Sequence, residues 1–344
     1  MKQLTFEGRG ATRWRDDVPA PTLGSAAAAL VTPLVVSTCD MDAVAMSGRI
    51  RFRAGTPMGH EGVGVVAEVA DGVTRVRPGD HVIMPWQISC GSCGRCRRGQ
   101  DTFCTTVPPG SCYGWGPHVG RWGGFLADLV EVPFADHMLV PVPEDVDPIR
   151  VSGIGDNLVD AWRAVGPPLR ECPGGTVLVG AAAASSSIGL YAALYARALG
   201  ASDVLVAAPR PAGPTLWQAA ELGLRTVAIE PDTLDVGAFD VTVDASGTAD
   251  GLALALRSTG PGGTCTCTSG AVHRGAPVAL PVYAMYMNVV TFRTGWVHTR
   301  SLLDEPLALV AGGAFDPTVI ATITSFEDAP AALAEPFTKL IMRR

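Results

Sequence analysis

The sequence predicts an α/β protein with two parts: a partly open β-barrel, then a doubly wound parallel sheet. Three observations predict it. Up to about residue 150, short β-type runs are separated by Gly/Pro turns. From about residue 170, strand-like and helix-like segments alternate. A chain of 344 residues has room for two domains, each with its own core.

In the first part, Val63–Val69 reads as a strand. Arg77-Pro78-Gly79-Asp80 is a turn into a second strand, His81–Met84, and Val73–Arg77 reads as a short strand-like link between Gly72 and Gly79. Residues 108–124 are rich in Gly, Pro and aromatics and form a loop that shapes a cleft, with Trp115, His118 and Trp122 as lining candidates. In the second part the series runs Val177–Val179 (strand), Ile188–Leu199 (helix), Val204–Val206 (strand) and Leu216–Leu222 (helix). Val241–Asp244 and Thr264–Thr268 follow as strands.

Net charge of −7 and a pI near 5.4 argue against a nucleic-acid partner, which needs a basic face. The run Arg95, Arg97, Arg98 is a solvated tip. The apolar run Ala26–Val36 is too short to span a bilayer and contains Pro33, so no membrane association is expected. The opening Met1-Lys2-Gln3-Leu4 has no signal-peptide pattern. With nine cysteines, four of them in metal-type spacing, it points to a reducing, cytoplasmic setting.

Those four are Cys90, Cys93, Cys96 and Cys104, in the run CGSCGRCRRGQDTFC. The C-x2-C-x2-C-x7-C spacing lets four thiolates converge on one tetrahedral Zn²⁺, with Gly91, Gly94 and Gly99 easing the turns. Four sulfur ligands leave no open position, so this site is structural.

Upstream stands Gly59-His60-Glu61-Gly62-Val63-Gly64. Downstream, an apolar strand, an Ala/Ser loop and a helix follow in order. Lobe, GHE element and nucleotide-binding half in this sequence resemble the zinc-containing medium-chain dehydrogenase/reductase (alcohol dehydrogenase) family. The resemblance implies a GroES-like catalytic domain with the zinc lobe over residues 1–157, a Rossmann cofactor domain over 158–294, and a return to the catalytic domain over 295–344. It also implies a homodimer or homotetramer acting on a small-molecule substrate.

The resemblance further implies a second, catalytic zinc held by Cys39, His60 and Asp156. One thiolate, one carboxylate and one neutral imidazole would balance the ion and leave a fourth position open. Glu61 then enters and leaves the coordination shell, and Asp42 hydrogen-bonds the ligating histidine. Cys112 is the rival ligand. Cys265 and Cys267 alternate along one strand and read as core.

The chain departs from that family at three positions. Where relatives carry a Ser or Thr two residues after the first ligand and a His five residues after it, this chain has Met41 and Val44. Neither can carry a proton. Asp160 stands where the family has a Thr beside the nicotinamide. It is either an alternative proton donor or a hydrogen-bonding partner of the ribose or a backbone group. Relay loss in plant relatives accompanies conjugate reduction, so the expectation is hydride transfer to a conjugated C=C or an activated carbonyl, including reductive cyclisation, as in specialised metabolism. An ordinary alcohol/aldehyde dehydrogenase and a non-catalytic NADPH-binding sensor are the alternatives. Met41, Trp86, Trp115 and His118 are the substrate-side candidates.

The cofactor loop Gly180–Gly189 reads as A-x-x-G-x-x-G with Ser186 in place of the middle Gly. Gly180, Ala183, Ser185, Ser186, Ser187, Ile188 and Gly189 let backbone approach a pyrophosphate at a helix N-terminus. The second strand ends Ala207-Ala208-Pro209-Arg210 with no acid, which favours NADP(H) over NAD(H). Ser246, Gly247 and Ser269 end later strands on the cofactor side.

Overall fold

The computed structural model describes residues 1–50, 52–116, 118–230, 233, 236–270 and 277–344. Two compact units emerge, Met1–Val159 with Val297–Arg344, and Asp160–Trp296.

The first unit opens with strands β1 (Gln3–Gly8), β2 (Ala11–Arg15), β3 (Ala29–Ser37), β4 (Thr56–Pro57), β5 (Glu61–Val69), β6 (His81–Met84), β7 (Val130–Val132) and β8 (Val140–Pro141). The second carries β9 (Thr176–Ala181), β10 (Asp203–Pro209), β11 (Arg225–Ile229), β12 (Phe239–Ala245), β13 (Thr259–Cys267) and β14 (Thr291–Thr294). The chain then returns to the first unit with β15 (Ala321–Ser325) and β16 (Lys339–Arg343).

In the first unit, β3 and β5 form the spine. They pair antiparallel over Ala29↔Val69 to Ser37↔Glu61, extended by β16 and β15 on one side and β6 and β8 on the other. Val31, Val36, Val66, Val82 and Met84 from these strands pack with Tyr113, Phe125 and Leu126 into one apolar core. Burying a side chain of that size contributes roughly 1.5–3 kcal/mol against leaving it in water. That core fixes the register, because a one-residue slip would turn Val66 of β5 away from it.

Residues 73–77 do not form the expected strand. The Asp136 carboxylate accepts the backbone N–H groups of Thr74 (3.0 Å) and Arg75 (2.8 Å), which a ladder would have used. A side-chain acceptor brought in from elsewhere thus overrides the local apolar pattern.

In the second unit the six strands lie in the order β11-β10-β9-β12-β13-β14, all parallel, with the topological switch between β9 and β12. The helices Ser187–Ala198, Pro214–Glu221 and Ala249–Arg257 make three of the crossovers. Cys265 and Cys267 are buried in this unit beside Leu252, Ala255 and Leu256. Among the described residues, no helix is long and apolar enough to cross a membrane.

Candidate active site

Strand β3 delivers Cys39 to the N-terminus of the helix Asp40–Met46. The Cys39 N–H donates to Asp42 Oδ2 (2.8 Å) and the Met41 N–H donates to Cys39 Sγ (3.3 Å), a capping box that fixes the sulfur. Gly59 adopts φ +88°, and a Cβ there would lie 2.8 Å from the Leu126 amide nitrogen. Only glycine makes this turn, and the turn aims His60 inward from the start of β5. Asp156 follows the 3₁₀ turn Ser152–Gly155 and precedes the helix Asn157–Glu171.

The donor atoms of Cys39, His60 and Asp156 lie within 4.8 Å of one another. His60 Nε2 is 3.4 Å from Asp156 Oδ2. For metal bonds near 2.0–2.1 Å, the edge of a tetrahedron is about 3.4 Å, so these two atoms have the spacing of co-ligands. Both ring nitrogens of His60 are buried and without a hydrogen-bond partner among the described residues. Such a group costs roughly 1–3 kcal/mol unless something satisfies it. A divalent cation facing Nε2 fits that need and the mixed S/N/O donor set.

Asp42 does not hydrogen-bond the imidazole directly. Its carboxylate is held by the Cys39 N–H and faces His60 Nδ1 across 3.9 Å, beyond hydrogen-bond reach. Its effect on the ring is through charge. Burial pushes the Cys39 thiol up to about 12. Burial works against a charged His60, yet Cys39, Asp42 and Asp156 hold its pKa well above the ordinary imidazole value. Without metal the pocket therefore carries protons that a cation must displace.

A buried network braces all three ligands through their chain neighbours. Lys339, at the start of β16, donates to the Thr38 carbonyl and to Glu61 Oε1, and the Asn157 N–H donates to Glu61 Oε2 (2.8 Å). Thr38, Glu61 and Asn157 flank Cys39, His60 and Asp156 in the chain. Glu61 is thus engaged on both oxygens, and burial raises its pKa to about 7 despite the adjacent Lys339 ammonium. Sequence reading missed Lys339. The available signal was one lysine opening an otherwise apolar strand.

Trp86 stands beside this centre. Its ring meets His60 edge-on at 6.4 Å, its Nε1 donates to Thr299 Oγ1 (3.1 Å), and its backbone N–H donates to the Gly155 carbonyl (3.1 Å). Met41 and Val44 both lie on the helix Asp40–Met46. The 108–124 loop passes the centre at Gly114, where a Cβ would come within 3.2 Å of the His60 Cβ. Trp115 packs edge-on against Phe52 (4.8 Å), and the His118 carbonyl accepts from the Arg121 N–H (3.0 Å) in the following turn. Trp122 is core and borders a separate pocket of ≈ 260 Å³ with Thr106, Val107, Arg121 and Phe134. Cys112 is not part of the three-donor group, since its Sγ donates to the Trp115 carbonyl (3.1 Å).

The four lobe sulfurs also lie within 4.8 Å of one another, with Cys93 and Cys96 Sγ 3.5 Å apart. Gly91 and Gly99 have φ near +70°; Gly94 is not left-handed. Backbone N–H donation, first from Cys96, lowers the Cys93 thiol to about 5. Thr106 and Ser92 outweigh burial and bring Cys90 to about 7. Two sulfurs are therefore ready as thiolates, while burial raises Cys96 and Cys104. The returning chain clamps this lobe: Gln87 Nε2 and Thr102 Oγ1 donate to the Val297 carbonyl, and the Ser301 N–H donates to Asp101 Oδ2 (2.8 Å).

In the other unit, the loop after β9 enters the helix Ser187–Ala198. A Cβ on Gly189 would lie 2.6 Å from Ser186 Oγ, so any larger residue there would push that hydroxyl aside. Ser186 donates to the Ala245 carbonyl (3.3 Å), whereas the Ser185 hydroxyl is buried with no partner among the described residues. An orphaned hydroxyl just before a helix N-terminus fits an anionic phosphate. Gly180 and Ala183 border the same loop, and Ile188 follows within the helix. Ser246 and Ser269 turn their hydroxyls inward onto the buried Asp244 carboxylate (2.6 and 2.7 Å), so with Gly247 they present backbone. The Asp160 carboxylate is paired with the Arg163 guanidinium.

Comparison with known proteins follows the same lines. Residues 25–144 match the alcohol dehydrogenase GroES-like domain family. The alcohol dehydrogenase TADH from Thermus sp. ATN1 superimposes with a TM-score of 0.85 at 30% identity, covering 100% of this chain and 99% of that one. An alcohol dehydrogenase of Geobacillus stearothermophilus is 28% identical over 82% of this chain and 80% of its own length. The glutathione-independent formaldehyde dehydrogenase of Pseudomonas aeruginosa is 33% identical over 58% of this chain, which spans half of that protein.

Proposed function

Because this chain belongs to the zinc-containing medium-chain dehydrogenase/reductase family, we propose that it is an NADPH-dependent reductase of a conjugated C=C or an activated carbonyl. The coarser statement, a zinc-type oxidoreductase acting on small molecules with a nicotinamide cofactor, follows from the family. The finer one is carried by a single observation. A full Cys39/His60/Asp156 donor set adjoins a helix whose relay positions are Met41 and Val44.

Cys39, His60 and Asp156 would hold a zinc ion that would supply Lewis acidity toward a substrate oxygen, and a bound nicotinamide would supply hydride. The chain's own residues do the rest. Asp42 fixes Cys39 and steers the imidazole by charge. Lys339 and Glu61 hold the three ligand-bearing segments together. Trp86, locked by Thr299, offers a flat apolar wall to an extended or cyclic substrate. Met41 and Val44 cannot relay a proton from the relay positions of this helix, so an alcohol is a poor reductant here. An electron-poor β-carbon needs no proton withdrawal before hydride arrives. The small-residue loop Ala183–Gly189, with Ser185, would seat the pyrophosphate, and Arg210 at the end of β10 would meet a 2′-phosphate.

An ordinary alcohol/aldehyde dehydrogenase is the second reading, favoured by the likeness to enzymes named for that activity. The test is turnover of zinc-loaded protein with C4-deuterated NADPH and a panel of α,β-unsaturated aldehydes and ketones. Deuterium on the β-carbon supports conjugate reduction. Deuterium on the carbonyl carbon replaces it with the second reading. Selective loss of NADPH affinity in Arg210→Ala tests the cofactor assignment. Cytoplasmic placement and assembly as a homodimer or homotetramer belong to the same proposal.

A further inference from the structure

The cofactor assignment leaves one carboxylate unexplained. Strand β10 ends without the acid that reads an adenosine ribose 2′-hydroxyl, yet an acid stands at that place. The β10–β11 register closes at Pro209↔Ile229, so the next residues, Arg210 and Glu230, come side by side. The Arg210 N–H donates to the Ile229 carbonyl (2.9 Å), and Arg210 Nε lies 2.7 Å from Glu230 Oε1. Glu230 is itself anchored, its N–H donating to Thr233 Oγ1 (3.0 Å). The segment after Arg210 packs on the phosphate loop: the Thr215 N–H donates to the Ala183 carbonyl (3.3 Å), and a Cβ on Gly213 would lie 2.4 Å from the Ala183 oxygen. Both side chains are more than half exposed and open to a ligand, at 60% and 56%.

Resting on the assignment of Arg210 to the ribose end of the cofactor, we propose that Glu230 is the second half of the selectivity site. It supplies from β11 the acid that β10 lacks. With NAD(H), the Glu230 carboxylate accepts the ribose 2′-hydroxyl and keeps its ion pair with Arg210. With NADP(H), the 2′-phosphate takes the guanidinium and must displace Glu230 from it. The pair reads both cofactors, and its carboxylate limits the preference for the phosphorylated one. A unit charge beside a phosphate carrying nearly two, in surroundings close to water, is worth on the order of tenfold in affinity.

The experiment is isothermal titration of the zinc-loaded full chain with NADPH and, separately, NADH, at low and high salt. The variants are Glu230→Gln, which removes charge and keeps an acceptor, and Arg210→Ala. Expected for Glu230→Gln is an NADPH Kd about tenfold tighter, an NADH Kd within about threefold of the parent, and a gain that shrinks at high salt. Arg210→Ala should weaken NADPH at least tenfold and NADH little. If Arg210→Ala is selective but Glu230→Gln moves neither cofactor, or both equally, the role of Glu230 is wrong while the Arg210 assignment stands. If Arg210→Ala is itself unselective, the assignment fails and takes the Glu230 proposal with it.

Discussion

Replacing Lys339 by Met tests whether the buried network holds the metal centre together. Lys339 is 1% exposed and pairs with Glu61, itself fully buried. The thioether fills similar volume, so the loss is chiefly electrostatic. Glu61 is already raised to about 7 with the ammonium beside it. Without it, the buried carboxylate is left beside Asp156. Breaking a buried pair from one side costs about 3–5 kcal/mol. At roughly 2–4 °C per kcal/mol for a unit of this size, the melting temperature should drop by about 10 °C at pH 8. The sign with pH follows from the direction of the shift. Glu61 binds its proton more tightly folded than unfolded, so its contribution to stability falls as pH rises from its ordinary 4.5 to about 7. The Lys339→Met penalty should therefore be larger at pH 8 than at pH 5.5. Glu61→Gln/Lys339→Met should recover much of it, because no charge is then unpaired. Calorimetry on the parent, Lys339→Met, Glu61→Gln and the double variant decides. A single-variant cost below about 1 kcal/mol, or a double variant no better than the single, would refute the reasoning.

Zinc affinity of the Cys39/His60/Asp156 centre should rise at least about tenfold per pH unit through the neutral range, because the thiol, raised to about 12, must lose its proton. The slope should steepen at lower pH where His60 is also protonated, as read by competition with a chromophoric chelator. Gly91→Ala should loosen the structural lobe and lower its zinc retention. The position has φ +71°, and a Cβ would lie 2.5 Å from His137 Nδ1, a strain of about 1–3 kcal/mol. Met41→Ser/Val44→His should restore a proton path and raise alcohol oxidation by about 10²-fold at neutral pH, measured as cofactor reduction with a primary alcohol panel. No gain would mean that the missing relay is not what limits oxidation.

What the sequence made legible was what short spacing encodes. Four cysteines within fifteen positions must converge, and β5, β6, β9, β10 and β12 announce themselves by short runs rich in Val, Ala and Leu near Gly or Pro. The features it hid are set by distant segments. Residues 73–77 carry a strand-like pattern, but Asp136 claims their N–H groups from sixty residues away. Lys339 meets Glu61 across 278 positions, and Glu230 meets Arg210 only because two parallel strands end in register. Asp160 gave no sign in sequence of its pairing with Arg163, one helical turn on. Asp42 has two possible partners in sequence terms, and the N-cap takes it first.

The central claim is that Cys39, His60 and Asp156 hold a second metal apart from the cysteine lobe. Metal content by native mass spectrometry tests it most directly. The account predicts two zinc ions per chain in the parent, one in His60→Ala, and one in Cys93→Ser provided that variant stays folded. Retention of two ions in both His60→Ala and Asp156→Asn would contradict it, as would a parent chain that binds only one ion at saturating zinc.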